Sequence, residues 1–131
     1  MNPHEQEFVE SFVQRARRER VRLGLANPKK RRKFVREFAH HGTYILASEC
    51  LRSIKPSQTN PDSICAILRS LGAPDTCYLL SEDSNLDGAE MPLLAALKQV
   101  VGGGMGTVIS CLPGRLGYFE GEVRERFILQ K

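Results

Sequence analysis

Five consecutive cations, Lys29-Lys30-Arg31-Arg32-Lys33, carry the strongest chemical signal in this 131-residue chain. Asn27-Pro28 just upstream reads as a helix start, with Asn as the cap and Pro at the first helical position. The cations then fall in the first turns of a helix, where the macrodipole favours acids. A sequence that breaks a local rule commonly does so for function. Helix N-terminal amides joined by Lys and Arg form a phosphate site, so the run suits nucleic acid, an anionic lipid surface or a phosphorylated ligand. The same charge extends upstream: eleven of the nineteen Lys and Arg lie between Arg15 and Arg36, against one acid, Glu19. Desolvating unpaired cations is costly, so this block must meet water, phosphate or a carboxylate-bearing surface. The predicted polyanion contacts are Arg15, Arg17, Arg18, Arg22, Lys29, Lys30, Arg31, Arg32, Lys33 and Arg36. Phe34 and Phe38 lie nearby at core-like spacing and are weak candidates for base stacking. Arg17-Arg18, ten residues and the Lys/Arg run also match a bipartite nuclear-import pattern, which needs an extended chain where the helix signals predict helix.

Other chemistry-bearing patterns are incomplete. Asp83-Ser84-Asn85-Leu86-Asp87-Gly88 sets oxygens at alternate positions before a glycine, as a calcium loop does, which makes Asp83, Asn85 and Asp87 weak metal candidates. The twelfth position is Leu94 instead of a bidentate Glu, so a structural turn is expected. Gly102-Gly103-Gly104-Met105-Gly106 has the composition of a phosphate cradle, yet it runs from helix into strand, opposite to a nucleotide loop. It reads as a helix cap and flexible connection. Glu37-x-x-His40 has di-iron spacing without the second copy that such bundles use. Ser110-Cys111 ends a predicted strand that a His could reach in space, but no nucleophile elbow surrounds it. Glu120, Glu122 and Glu125 read as strand and turn acids. No catalytic residue, cofactor or metal is predicted.

The elements that position these residues follow from apolar spacing. Phe8, Val9, Phe12, Val13 and Ala16 share one face of a helix predicted over Glu5 to Leu23, with Gly24 at its end. A second helix is expected from Pro28 to His40, interrupted at Gly42. Tyr44, Ile45, Leu46, Leu51 and Ile54 suggest a third helical piece, ended by Pro56. Asn60-Pro61-Asp62 starts a helix over Ile64 to Leu71, Cys77 to Leu80 is a buried strand, and Pro92 opens a helix ending at Gly102. Thr107 to Leu112, Leu116 to Glu120 and Arg126 to Gln130 are strands. Pro113-Gly114 is expected at the centre of a type II turn.

The predicted fold class is α/β, or α+β: an N-terminal helical arm over 1–56, then a core over 57–131 in which two helices pack on one face of a mixed sheet of about four strands. The two parts form one compact unit in this reading, and whether the arm docks is left open. An apolar fraction of 41% and a charged fraction of 26% argue against a disordered or fibrous chain. Residues 1–71 carry a net +7 and residues 72–131 a net −3, within the overall +4. Cys50, Cys65, Cys77 and Cys111 lack metal or paired spacing and read as core thiols in a reducing compartment. With no secretory profile at the start and no run near ~18 apolar residues, a cytoplasmic protein without a membrane span is expected. The leading expectation is a non-enzymatic binding or regulatory protein whose arm holds RNA or DNA backbone. A second is a protein-interaction module or homo-oligomer, pairing the arm with an acidic partner or with Glu82, Asp83, Asp87, Glu120 and Glu122 of another copy. A third is a small enzyme with a pocket near loops 81–88 and 102–106.

Overall fold

Cys77, Tyr78, Leu79 and Leu80 alternate sides of a strand, and all four are buried, so both faces of the sheet they belong to must be covered. The computed structural model shows how. It describes residues 1–123 and 125–131, with the side chains of residues 38 and 39 outside the description. The helices are α1 (Pro3–Phe12), α2 (Arg18–Ala26), α3 (Arg31–Ile45), α4 (Pro61–Ser70) and α5 (Leu93–Val100). The strands are β1 (Leu51–Ser53), β2 (Thr76–Ser81), β3 (Glu90–Pro92), β4 (Thr107–Leu112), β5 (Leu116–Glu120) and β6 (Arg126–Gln130). They form an open sheet in the order β1-β6-β5-β4-β2-β3, and every neighbouring pair is antiparallel.

Tyr78, Leu80, Val108, Phe119 and Leu129 point to one face and pack with α1, α2 and α3. Cys77, Leu79, Ile109, Leu116, Tyr118 and Ile128 point to the other and pack with α4 and α5. The chain is therefore a three-layer α/β/α sandwich, and the basic helices form one of its layers. All four cysteines are buried and free. Among the described residues no helix is long and apolar enough to cross a membrane.

The α/β class holds, while the detail of the sheet differs from expectation. Six strands replace four, because β1 and β3 are three-residue edges too short to show an alternating pattern. The pairing is antiparallel throughout, because β3 turns the chain back before α5 and returns it to β2 from the opposite direction. Helices cover two faces instead of one. From residue 60 onward the local signals match closely. The Asn60 side chain accepts from Ser63 N at 2.9 Å, capping α4. Gly114, with φ +70°, closes the β4–β5 turn, and Arg115 N donates to Leu112 O at 3.0 Å.

The N-terminal layer departs most. The helix expected over Glu5 to Leu23 breaks at Val13, where Val13 and Leu46 form an antiparallel bridge. Gln14 N donates to Ile45 O at 2.8 Å and Ala47 N to Phe12 O at 2.7 Å. These partners lie thirty residues away, so the break has no local signal. The next helix begins at Arg31 rather than Pro28, since Asn27 caps a turn and Lys29 N donates to its Oδ1 at 2.9 Å. Non-helical angles at His41 then divide it in two, one residue before the expected interruption at Gly42. The expected third helical piece is instead a short 3-10 turn over Ser48–Cys50 followed by β1. Gly42 is a contact residue: a β-carbon there would overlap the buried Phe119 ring, so glycine lets α3 approach the sheet.

Gly42→Ala is accordingly expected to destabilise the fold by about 1–3 kcal/mol through overpacking. Adding Phe119→Leu should recover part of the loss, as read from urea midpoints of the two variants.

Candidate nucleic-acid interface

Helix α1 places Glu5 one turn inside its N-terminus, with Asn2 capping ahead of it, and packing against the sheet leaves Glu5 only 3% exposed. A buried carboxylate needs a cation or several donors. Arg31, the first residue of α3, supplies both: Nη1 donates to Glu5 Oε1 at 2.7 Å and Nη2 to Oε2 at 2.9 Å. The same guanidinium reaches the loop after β2, where Nε donates to Asp87 Oδ2 at 2.8 Å and Nη2 to Oδ1 at 3.1 Å. Two forked contacts use four of its five planar N–H donors, and both carboxylates hold it more firmly protonated than an ordinary arginine. The Tyr78 hydroxyl also donates to Glu5 Oε2, and Ser81 N donates to Asp87 Oδ1 at 3.1 Å.

Arg31 is thus taken out of the five-cation run. The other predicted contacts divide by what they touch. Arg18 is half-buried, with Nε donating to Val13 O at 3.0 Å. Arg22, also half-buried, pairs with Glu10 and with Glu19. Arg36 lies 3.9 Å from Glu82. Arg15, Arg17, Lys29, Lys30, Arg32 and Lys33 are exposed and form no ion pair among the described residues. Arg20, which the sequence reading passed over, sits 5.5 Å above the Phe34 ring and 3.3 Å from Glu37.

Between α2 and α3 lies a groove. One section, about 580 Å³, is lined by Arg20, Leu23, Gly24, Asn27, Lys30, Lys33 and Phe34. The next, about 380 Å³, is lined by Arg17, Arg20, Glu37, His41, Tyr44 and Ile45. Arg20 borders both. The lining positions recur every three or four residues on each helix, so one stripe of α2 faces one stripe of α3. Gly24 lies against the Phe34 ring and lets the helices meet. Leu23, at the end of the first predicted helix, and Tyr44, in the predicted third helical piece, are 62% and 67% exposed beside this groove. Their positions off the apolar stripe were the available signal. Phe38 lies outside the described side chains.

The remaining candidates are engaged elsewhere. Asp87 is turned to Arg31, and Asp83 Oδ1 accepts from Asn85 N at 2.9 Å, an ordinary loop turn. Among the described residues no three His, Cys, Asp or Glu side chains gather as a metal needs. Glu37 pairs with Arg20 while His40 Nδ1 lies 2.5 Å from Glu122, so the Glu-x-x-His pattern has its members on different partners. Glu120, 1% exposed, accepts from the Tyr118 hydroxyl at 2.8 Å, Arg126 Nε at 3.2 Å and Gly102 N at 2.9 Å, fixing the start of the glycine loop. The cavity between loops 81–88 and 102–106 measures about 70 Å³. At the same glycine loop a larger cavity, about 410 Å³, is lined by Gly102, Gly104, Glu120, Gly121, Glu122 and Arg126. Ser110 does meet a histidine: its hydroxyl lies 2.7 Å from His4 Nδ1, and His4 stacks on Tyr78 at 5.4 Å between centroids. Burial holds His4 below the usual histidine range, opposed by Glu90. Ser110 is buried beneath α1, so this pair ties α1 to the sheet.

The chain matches no protein-family model, curated protein or solved structure. The geometry alone carries the functional argument.

Arg31→Met leaves the buried Glu5 and the half-buried Asp87 without a cation and is expected to cost about 3–5 kcal/mol. Arg31→Lys recovers little, because an ammonium cannot hold both forks. The triple change Glu5→Gln, Arg31→Met, Asp87→Asn should recover most of the loss in urea unfolding.

Burial pushes the Cys77 thiol up from 9.0 to about 12. Burial, then the hydrogen bond to Glu5, pushes the Tyr78 hydroxyl from 10.0 to about 12. Both groups hold their proton more tightly folded than unfolded, so the stability they add is complete below pH 9 to 10 and is lost as pH rises toward 12. The urea midpoint should fall over that window, with a shallower early decline in Cys77→Val.

Proposed function

We propose that this is a non-enzymatic binding protein that holds nucleic-acid backbone on the face formed by α2 and α3. The observation that carries the reading is the set of cations left without carboxylate partners beside a groove. Lys29, Lys30, Arg32 and Lys33 cluster at the N-terminal end of α3, Lys30 and Lys33 line the groove, and Arg17 stands near its other end. Most of the chain's buried and half-buried charges are compensated within the fold, including Glu5, Arg31, Asp87, Glu120 and Arg126. Four of the five acids proposed for pairing with a second copy, Glu82, Asp87, Glu120 and Glu122, already hold basic side chains of this chain. The uncompensated positive charge is what a polyanion would neutralise, with release of its counterions. Contacts of this kind position a backbone without reading bases, so weak sequence preference is expected.

The test is fluorescence anisotropy with labelled RNA and DNA across salt concentrations. The charge reversal must spare Arg31, whose loss would break the contacts to Glu5 and Asp87. Lys29→Glu, Lys30→Glu, Arg32→Glu and Lys33→Glu together change exposed side chains only. The wild type should show a steep salt dependence, and the variant should lower the slope of log affinity against log salt by about 3, at roughly 0.7–0.9 per contact. Unchanged affinity in a folded variant would sink the proposal.

A further inference from the structure

The α2–α3 groove has a shape and a lining that go beyond a basic patch. Resting on the backbone-binding reading, we infer that its occupant is single-stranded nucleic acid, with phosphates on Lys30, Lys33 and Arg17 and a base stacked on Tyr44.

Shape excludes a duplex from the groove. Packed helices lie about 8–10 Å apart axis to axis, and Gly24 against Phe34 brings α2 and α3 into direct contact. A protein that reads a duplex presents a convex element to it, a single helix or ribbon entering the major groove. Here the two helices present a concavity. A bilayer is flat and cannot follow it either.

The lining combines the two parts that single-strand binders use, cations along a channel and exposed rings on which bases stack. Tyr44 is 67% exposed, with its ring 6.3 Å from the exposed His41 ring in an edge-on arrangement. Packing accounts for neither residue's exposure. From Arg31 to the break at His41 α3 runs about 15 Å at 1.5 Å per residue, enough for a few nucleotides. Leu23, 62% exposed, adds apolar surface midway.

One feature of the lining opposes an anion, and it gives the proposal a distinctive mark. Glu37 lies in the groove and holds Arg20 at 3.3 Å. Arg20 borders both sections and already rests over the Phe34 ring. A strand crossing this point exchanges Glu37 for phosphate as the partner of Arg20, leaving the carboxylate as a local penalty. Glu37 therefore limits affinity, and neutralising it strengthens binding.

The experiment compares a labelled twelve-nucleotide single strand with its duplex, by anisotropy at several salt concentrations, on wild type, Tyr44→Ala and Glu37→Gln. Folding of each is checked by circular dichroism. The expected result is at least tenfold tighter binding of the single strand. Tyr44→Ala should weaken that binding about 5- to 100-fold with an unchanged salt slope, since stacking releases no counterions. Glu37→Gln should tighten it several-fold. Equal binding of both forms with Tyr44→Ala neutral overturns the single-strand inference and leaves the backbone-binding reading standing. Binding of neither form at low salt overturns both. Retention on phosphatidylserine vesicles in place of either nucleic acid also overturns both.

Discussion

The double fork of Arg31 is the interaction on which the N-terminal layer depends. It joins α1 through Glu5, the loop after β2 through Asp87, and the start of α3 through its own backbone. Glu5 is buried and Asp87 half-buried, and among the described residues neither pairs with another cation. Removing the arginine would cost far more than a surface pair, whose worth is usually below about 1 kcal/mol. The same contact sets how α3 is rotated about its axis. Successive residues turn by about 100° around a helix, so with Arg31 held inward, Arg32 and Lys33 are carried to solvent. The buried member of the basic run thus orients the exposed ones.

That division explains how one chain holds a strongly basic stretch and a stable fold. The unfavourable placement of cations at a helix N-terminus is relieved at Arg31 by acids brought in from α1 and from the loop. Arg18 binds a free carbonyl, and Arg22 sits between two glutamates. The acids of the C-terminal half mostly close loops and tie elements: Glu120 holds the glycine loop, and Glu82 accepts from Gly106 N at 3.3 Å. Apart from Arg18, six of the described cations without an ion pair, Arg15, Arg17, Lys29, Lys30, Arg32 and Lys33, lie between residues 15 and 33, and the others are scattered singly from Arg52 to Lys131.

Much of the second half was legible because its signals are local. Asn60 caps what it should cap, Pro113-Gly114 turns where a turn is needed, and the bounds of β4, β5 and β6 coincide with their apolar runs. The first half is governed by contacts across the chain. Val13 pairs with Leu46, so a helix breaks where it has no breaker, whereas the break expected at Gly42 falls one residue earlier, at the non-helical His41. The basic run was legible as charge, but not its inward member, since that depends on partners 26 and 56 residues away. The groove was hidden for a related reason. Its lining belongs to two stripes that look like ordinary amphipathic helix until they face each other.

The sheet order carries a consequence for the growing chain. Strand β1 pairs only with β6, so Leu51 waits for Leu129. Strand β6 also closes β5, and the layer of α1 to α3 rests partly on Phe119 and Leu129. Contacts so distant in sequence form late and slow folding. During synthesis the basic helices therefore emerge well before the surface they cover exists. Through that interval their apolar stripes and their cations face the ribosome's own polyanionic surroundings together, and completion of the last strand is what withdraws the first from view while leaving the second exposed.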